Sequence, residues 1–305
     1  MKALVTGGCG FIGHHLVRTL IDRGDDVVII DDFSTGDRSR LDPRARLVEG
    51  DIRDREPLQR LFAEERFDVV FHTAALARIQ PSVKDPMTTH DVNVTGTLNV
   101  LRAAQTNDVR RVVYSSSSSI YGAQESLPFV ETMIANPQNP YGLQKWMGEE
   151  LCRMFSGVYG LDTACLRYFN VYGPGMIADG AYCTVISIFL GQLGRGEKIT
   201  VVGQGEIRRD FTHVSDIVAG NLAAADAPSR LEGEAFNLGF GDNVAVRTVA
   251  ERILASRGKS WDADVEFLPA RPNEAPATLA DRTRAGERLG WRPRVAFDEG
   301  LEELL

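Results

Sequence analysis

The chain is poor in cysteine: its 305 residues hold only Cys9, Cys152, Cys165 and Cys183. That is too few for a disulfide framework, and the spacing fits no metal site. The reading is a reducing, cytoplasmic setting with no bound metal. Lysine is scarce as well, with 5 among the 34 basic residues and arginine making up the other 29. GC-rich coding explains that bias without any appeal to function. Positive charge is outweighed by 42 acidic residues, leaving a net charge of −8. This argues against a nucleic-acid partner. The chain opens directly into Lys2-Ala3-Leu4-Val5, without the charged leader and apolar segment of a secretory signal. No apolar run reaches bilayer length, so no membrane partner is expected. Internal repeats and a clean interdomain linker are also missing.

What is present is rhythm. Short β-branched runs at Ala3–Val5, Val27–Ile30, Arg46–Val48, Val69–His72, Val112–Ser115 and Thr163–Tyr168 read as strands. Helical periodicity fills the gaps at Gly13–Arg23, Pro57–Glu65, Gly96–Thr106 and Tyr141–Tyr159. Regular β–α alternation implies an α/β fold with a doubly wound parallel sheet, and wholly apolar strands suit a sheet covered on both faces. The rhythm breaks after Tyr168. The Gly- and Pro-rich stretch Asn170–Asp179 reads as a loop, and the remainder of the chain suggests a smaller mixed α/β domain. Asp210–Val214 and Ala235–Leu238 read as strands returning to the main sheet. The expected division is therefore 1–169 plus 209–240 for the first domain, and 170–208 plus 241–305 for the second.

After the first strand comes Thr6-Gly7-Gly8-Cys9-Gly10-Phe11-Ile12-Gly13, then a helix. Gly8, Gly10 and Gly13 match the dinucleotide-binding spacing literally; Gly7, Gly10 and Gly13 match a wider variant. Either set gives a tight turn, lets backbone approach a pyrophosphate, and aims a helix N-terminus at the anion. An acid about 20 residues further on completes the pattern. Asp31 closes the second strand, where a carboxylate accepts the ribose hydroxyls and repels a 2′-phosphate. The following residues, Asp32-Phe33-Ser34, offer no arginine. NAD is favoured over NADP.

Two further motifs carry chemistry. Ser115–Ser119 is a run of five serines directly after the apolar Val112-Val113-Tyr114, and it poses a choice between a flexible linker and a strand end that presents hydroxyls. Tyr141 and Lys145 stand four apart, on one helix face. An ammonium beside a phenol favours the phenolate, which makes Tyr141 a candidate general base toward an alcohol.

With these motifs the chain resembles the extended short-chain dehydrogenase/reductases of the NAD-dependent epimerase/dehydratase group, and among them the UDP-glucose and UDP-N-acetylglucosamine 4-epimerases. The likeness also rests on Gly50-Asp51-Ile52, His72-Thr73-Ala74-Ala75, Asn93-Val94-Thr95-Gly96-Thr97, Arg167 to Gly173 and Arg209 to Val214. It implies a Rossmann fold and catalysis by Ser117, Tyr141 and Lys145. It implies NAD binding by Gly7, Gly10, Phe11, Ile12, Asp31, Asp32, Ser34, Thr35, Gly36, Asp51, Ile52, Thr73, Ala74, Ala75, Asn93, Ser115, Tyr141, Lys145 and Tyr168. Ala77 falls where some members place a lysine toward the NAD phosphates, so that contact has to come from elsewhere or is missing.

The resemblance implies a UDP-sugar as substrate, held by Ser117, Tyr141, Asn170, Arg209, Arg271 and Thr278. It also implies a homodimer through helices near Gly96–Thr106 and Tyr141–Tyr159. Thr278 stands where a residue gates the space beside the sugar C2 substituent, and a threonine leaves room for an acetamido group. Related 4,6-dehydratases carry Thr-Asp-Glu where this chain has Ser117-Ser118-Ser119. Serines do not protonate a leaving hydroxyl, so oxidation and re-reduction without elimination is expected. A UDP-glucuronate 4-epimerase, another sugar-nucleotide dehydratase and a non-catalytic NAD-binding regulator are the rival readings.

Overall fold

The computed structural model describes residues 1–176, 184–269 and 275–305. In chain order the strands are β1 (Lys2–Thr6), β2 (Asp26–Asp31), β3 (Arg46–Glu49), β4 (Val69–His72), β5 (Arg111–Ser117), β6 (Asp162–Tyr168), β7 (Val171–Tyr172), β8 (Ile199–Val202), β9 (Arg208–Arg209), β10 (Thr212–His213), β11 (Glu234–Leu238), β12 (Val244–Ala245) and β13 (Val265–Leu268). Seven of them form one parallel sheet in the order β11-β6-β5-β4-β1-β2-β3. The chain winds outward one way through β2 and β3 and the other way through β4, β5, β6 and β11. The switch point lies between β1 and β4, and in such sheets the crevice at the carboxyl ends there binds ligands.

Alternation along the strands builds two cores. Val5, Ile29, Phe71, Val113, Leu166 and Phe236 face one side, packed against Leu16, Val17 and Leu20 of helix Phe11–Asp22 and Ile217 of helix Val214–Asp226. Leu4, Val28, Val70, Val112, Cys165 and Ala235 face the other. There they meet helices Arg55–Glu65, Thr97–Thr106 and Pro140–Tyr159. Period-two burial with both faces covered accounts for strands whose middle residues are almost all apolar.

A third cluster gathers Tyr172, Ile186, Phe189, Ile199, Val201, Val249 and Ile253 around the β8–β13 pair and helices Val185–Gly194 and Val246–Ser256. These residues come from the segments read as the second domain. Phe211, from a segment read as the first, joins them, while Ala285 and Trp291 pack into the main core. Ala235–Leu238 does return to the main sheet, as β11. Asp210–Val214 does not: only Thr212 and His213 are strand, paired with β7 outside the main sheet. β11 already occupies the edge beside β6. Asp210 is instead a buried post, accepting backbone N–H groups from Phe240 at 2.8 Å, Gly241 at 3.1 Å and Ala280 at 2.9 Å. Among the described residues no helix is long and apolar enough to cross a membrane.

Candidate active site

A cavity of about 790 Å³ opens along the carboxyl edge of the sheet, from the ends of β2 and β3 past β1 and β4 to β5 and β6. Its size is that of a small-molecule site.

The glycine turn forms one wall. Gly7 adopts φ +70°, and a Cβ there would stand 2.8 Å from the Ala74 Cα. Gly10 donates its N–H to the Gly7 carbonyl at 3.0 Å and caps helix Phe11–Asp22 without a side chain. A Cβ on Gly13 would collide with the Gly7 carbonyl oxygen. Gly7, Gly10 and Gly13 line the cavity and Gly8 does not, so the wider spacing is the one that faces it. Gly8 instead makes room for Ile29, whose Cγ2 would lie 2.7 Å from an added Cβ. The turn is thus a bare backbone cradle at a helix N-terminus, suited to a pyrophosphate.

Phe11, Ile12, Asp31, Asp32, Ser34, Thr35, Gly36, Asp51, Ile52, Thr73, Ala74, Ala75 and Ala77 all line the same cavity. The Asp31 carboxylate accepts from the Cys9 N–H at 2.9 Å and the Phe33 N–H at 2.8 Å. It stitches the glycine turn to the end of β2, and burial pushes its pKa up. Thr73 donates its hydroxyl to the Thr6 carbonyl at 2.7 Å, which fixes the end of β4 beside that of β1. His72 is buried between the Thr6 and Thr97 hydroxyls at 2.7 and 2.9 Å. Burial first, then the charge of Lys145, drives its pKa down to about 3, so it stays neutral.

The serine run is a strand end. Ser115, Ser116 and Ser117 finish β5, all buried, and Ser117 caps a short 3₁₀ turn over Ser118–Ile120. The Ser117 hydroxyl accepts from the Ser119 N–H at 3.2 Å and shares the cavity wall with Tyr141. Helix Pro140–Tyr159 starts where it does because Asn139 caps the Gly142 N–H at 2.9 Å and Pro140 follows at the first position. That places Tyr141 in the first turn, against β5. Ser115 and Tyr168 share a hydroxyl contact of 2.9 Å. Ser116 turns to the other face and bonds Glu149, which holds Arg167.

The electrostatics correct one expectation. Burial pushes the Tyr141 pKa above its ordinary value, countered by the Ser117 hydrogen bond and the charge of Arg78. Lys145 donates to the Ser115 carbonyl at 2.7 Å and lies over the Tyr114 ring. Burial lowers its own pKa to about 8, opposed by Cys152 and Glu149.

Ser115, Ser117, Tyr141, Lys145, Tyr168, Asn170 and Arg209 all meet in the cavity. Two expected residues do not. Asn93 is buried outside the lining, because its amide is spent on the Leu76 N–H and C=O at 2.8 and 3.1 Å and on Gln144 at 2.9 Å. It positions the loop after β4. Thr278 also stands behind the wall: its hydroxyl accepts from the Asn170 amide and the Asp210 N–H, each at 3.2 Å. Arg271 lies outside the described residues. Ser118, Ser119, Gln138 and Arg78 line the cavity, although the sequence reading gives them no cofactor or substrate contact. The sequence signal for Arg78 was the missing lysine at the neighbouring Ala77.

Comparison with known proteins agrees with this geometry. The model of the NAD dependent epimerase/dehydratase family matches residues 3–239. A UDP-glucose 4-epimerase of Mycolicibacterium smegmatis is 36% identical over 307 residues, covering 99% of this chain and 96% of that protein. The Thermotoga maritima UDP-glucose 4-epimerase, solved with UDP-glucose, has a TM-score of 0.94 at 35% identity, covering 99% and 97% of the two chains. The Thermus thermophilus UDP-glucose 4-epimerase in complex with NAD has a TM-score of 0.91 at 32% identity, covering 99% and 96%. NAD is the cofactor that the cradle and Asp31 fit, and the chain belongs to the NAD-dependent epimerase/dehydratase family.

Proposed function

We propose that the protein is a UDP-hexose 4-epimerase that interconverts UDP-glucose and UDP-galactose. The observation that carries this reading is the meeting of Ser117 and Tyr141 in a wall without a carboxylate. The acids that line the cavity, among the described residues, are Asp31, Asp32 and Asp51, all at the ends of β2 and β3. Beside Tyr141 stand Ser118 and Ser119, which speaks against elimination. The presence of Tyr141 and Lys145 in one cavity with a nucleotide cradle speaks against a non-catalytic regulator.

In this reading Tyr141 takes the C4 hydroxyl proton through Ser117 and returns it after the 4-keto sugar has turned over. NAD bound along the glycine turn supplies a reversible acceptor for the C4 hydride. Lys145 fixes the end of β5 and reaches the nicotinamide ribose, with Tyr168 and Ser115 bordering that pocket. Asn170 and Arg209, together with Arg271, hold the UDP diphosphate. The keto sugar turns while tethered by its nucleotide, so orientation is retained through both half-reactions. Five exposed apolar side chains, Leu98, Leu143, Met154, Val158 and Tyr159, support the homodimer through the two helices that carry them. Free, buried Cys9, Cys152 and Cys165 are compatible with a cytoplasmic setting.

The test is incubation with a panel of UDP-sugars and no added NAD, followed by chromatography. Each epimer appearing from its partner is the expected result. A 4-keto-6-deoxy product accumulating instead would make the protein a dehydratase, and turnover of UDP-glucuronate alone would make it a uronate epimerase.

A further inference from the structure

Behind the serine run the protein buries an ion pair that the chemistry described above does not use. Glu149 is fully buried and Arg167 nearly so. The carboxylate accepts from the Arg167 guanidinium on both oxygens, at 2.9 and 2.7 Å, and its Oε1 also accepts the Ser116 hydroxyl at 2.5 Å. Ser116 and Arg167 are opposite one another in the β5–β6 ladder. One carboxylate on helix Pro140–Tyr159 therefore grips two strands, one residue before Ser117 on β5 and one residue before Tyr168 on β6. Arg167 is anchored in turn. Its Nη1 donates to the Tyr121 hydroxyl at 2.8 Å, and that hydroxyl donates to Asn237 of β11 at 2.6 Å.

A buried ion pair is a poor source of stability, because desolvating two charges offsets most of their attraction. Its directional geometry suits the fixing of register instead. Register needs fixing here, because the helix meets β5 and the turn after it on glycines. A Cβ on Gly148 would collide with the Tyr114 hydroxyl, and one on Gly142 would stand 2.7 Å from the Ser119 carbonyl oxygen. Contacts made without side chains set how close the helix lies and do little to stop it sliding. Tyr141, Lys145 and Glu149 recur every four residues on one face, so a slide at Glu149 carries Tyr141 with it.

We propose that Glu149 is a positioning residue for epimerisation: with Arg167, and through Ser116, it locks the register of the helix on the strand end and so sets where Tyr141 stands relative to Ser117. This rests on the reading of Tyr141 and Ser117 as the proton path. Ser116 lines the cavity, but its hydroxyl is given to Glu149. It works on the strand and not on the sugar.

Two variants release the lock without leaving a lone buried charge. Ser116→Ala frees the strand and keeps the ion pair. Glu149→Met with Arg167→Met replaces the pair by apolar side chains, an exchange that buried ion pairs often tolerate in stability. The expected result is a severalfold fall in kcat for Ser116→Ala and a roughly tenfold fall for the double exchange, a part of the about 10²-fold that a 1 Å misplacement costs. KM for the UDP-sugar and retained NAD should stay at wild-type values. The limbs of the kcat–pH profile should not move, because the base is displaced and not retuned. Ser116→Thr keeps the hydroxyl and should restore kcat. Adding Ser116→Ala to the double exchange should cost nothing further, since both remove one lock. A Ser116→Ala protein with wild-type kcat overturns the proposal, whatever its melting temperature, and so do additive losses, which would make Ser116 act on the sugar directly. Should the double exchange fail to fold, Ser116→Ala against Ser116→Thr still decides. Tyr141→Phe separates the two readings. Wild-type turnover in that variant sinks the base assignment itself. An inactive Tyr141→Phe beside a fully active Ser116→Ala sinks only the role of Glu149.

Discussion

At the end of β1 the groups facing the cavity are backbone; at the end of β5 they are side chains. The first wall is a turn of glycines and a helix N-terminus, whose shape depends on atoms being absent. The second is a set of hydroxyls and a phenol on a rigid strand and the opening turn of a helix, whose function depends on particular atoms being present. The two ends should therefore fail differently. A methyl group added to the first destroys its form. A single oxygen removed from the second leaves its form intact and removes the chemistry.

The sharpest break is Gly13→Ala. Its Cβ would collide with the Gly7 carbonyl oxygen and stand 2.9 Å from the Gly8 Cα, and both are backbone that has no rotamer to yield. The turn would have to open. Loss of bound NAD together with a lowered melting temperature is the expected outcome, read from cofactor released on denaturation. Wild-type NAD content in this variant would mean that the turn is not the cradle. Extraction from wild type should return NAD and not NADP, given Asp31 and Asp32 at the end of β2.

Next in size are the oxygens of the second wall. Tyr141→Phe keeps the ring, so melting temperature and NAD content should match wild type while turnover falls by roughly 10²–10⁴-fold, the usual cost of losing a general base. Ser117→Ala keeps Tyr141 and removes only a relaying hydroxyl, so its loss should be nearer fivefold, at about 1 kcal/mol for one lost bond to the substrate. Equal losses in the two variants would make Ser117 the base and Tyr141 its support.

The comparison extends to two buried aspartates. Asp31 and Asp210 each hold loops by accepting backbone N–H groups, and burial raises both pKa values. Asp210, fully buried with three donors, is pushed up to about 6 from an ordinary 3.8. The folded state then binds a proton more tightly than the unfolded chain does. This contribution is fully present below about pH 4 and is lost as pH rises through 6, by about 3 kcal/mol. Melting temperature followed across that window should show a decline that Asp210→Asn lacks, even though the variant would start lower because its side-chain NH₂ faces a donor. An identical pH dependence in the two proteins would mean that Asp210 is ionised throughout.

The strength of each sequence reading follows the same contrast. β1, the glycine turn and Asp31 were legible because local rules fix them: a strand, a turn that excludes Cβ, and an acid at a set distance. The apolar residues before the serine run left linker and strand end both open, and only the family resemblance chose the strand end that β5 shows. What sequence did not show is contact across long separations. The Tyr141–Lys145 spacing places both on one face but does not reveal that Ser115, 30 residues earlier, takes the ammonium. Asn93 was expected as a cofactor ligand because the family resemblance implies it, yet the Leu76 backbone claims its amide. Asp210–Val214 reads as strand by composition, while its pairing with β7 is set by tertiary packing that periodicity does not record.

The smallest expected effect lies behind the walls, at Thr278. Its hydroxyl accepts two hydrogen bonds, from the Asn170 amide and the Asp210 N–H, and it does not line the cavity. Asn170 does line it, at φ +30°, a backbone conformation that needs outside support in a residue other than glycine. Thr278→Val preserves shape and removes the acceptor. Two donors lose a partner, and each 3.2 Å bond is long enough that the cost should sit at the low end of about 0.5–1.5 kcal/mol. If Asn170 holds the diphosphate, the change should appear as a severalfold rise in KM for the UDP-sugar with kcat nearly unchanged, since Tyr141 and Ser117 are untouched. The same KM rise for UDP-glucose and for its N-acetylated counterpart would follow from a support that never meets the sugar. A rise confined to one of them would instead place Thr278 at the C2 substituent, as a gate in the wall itself.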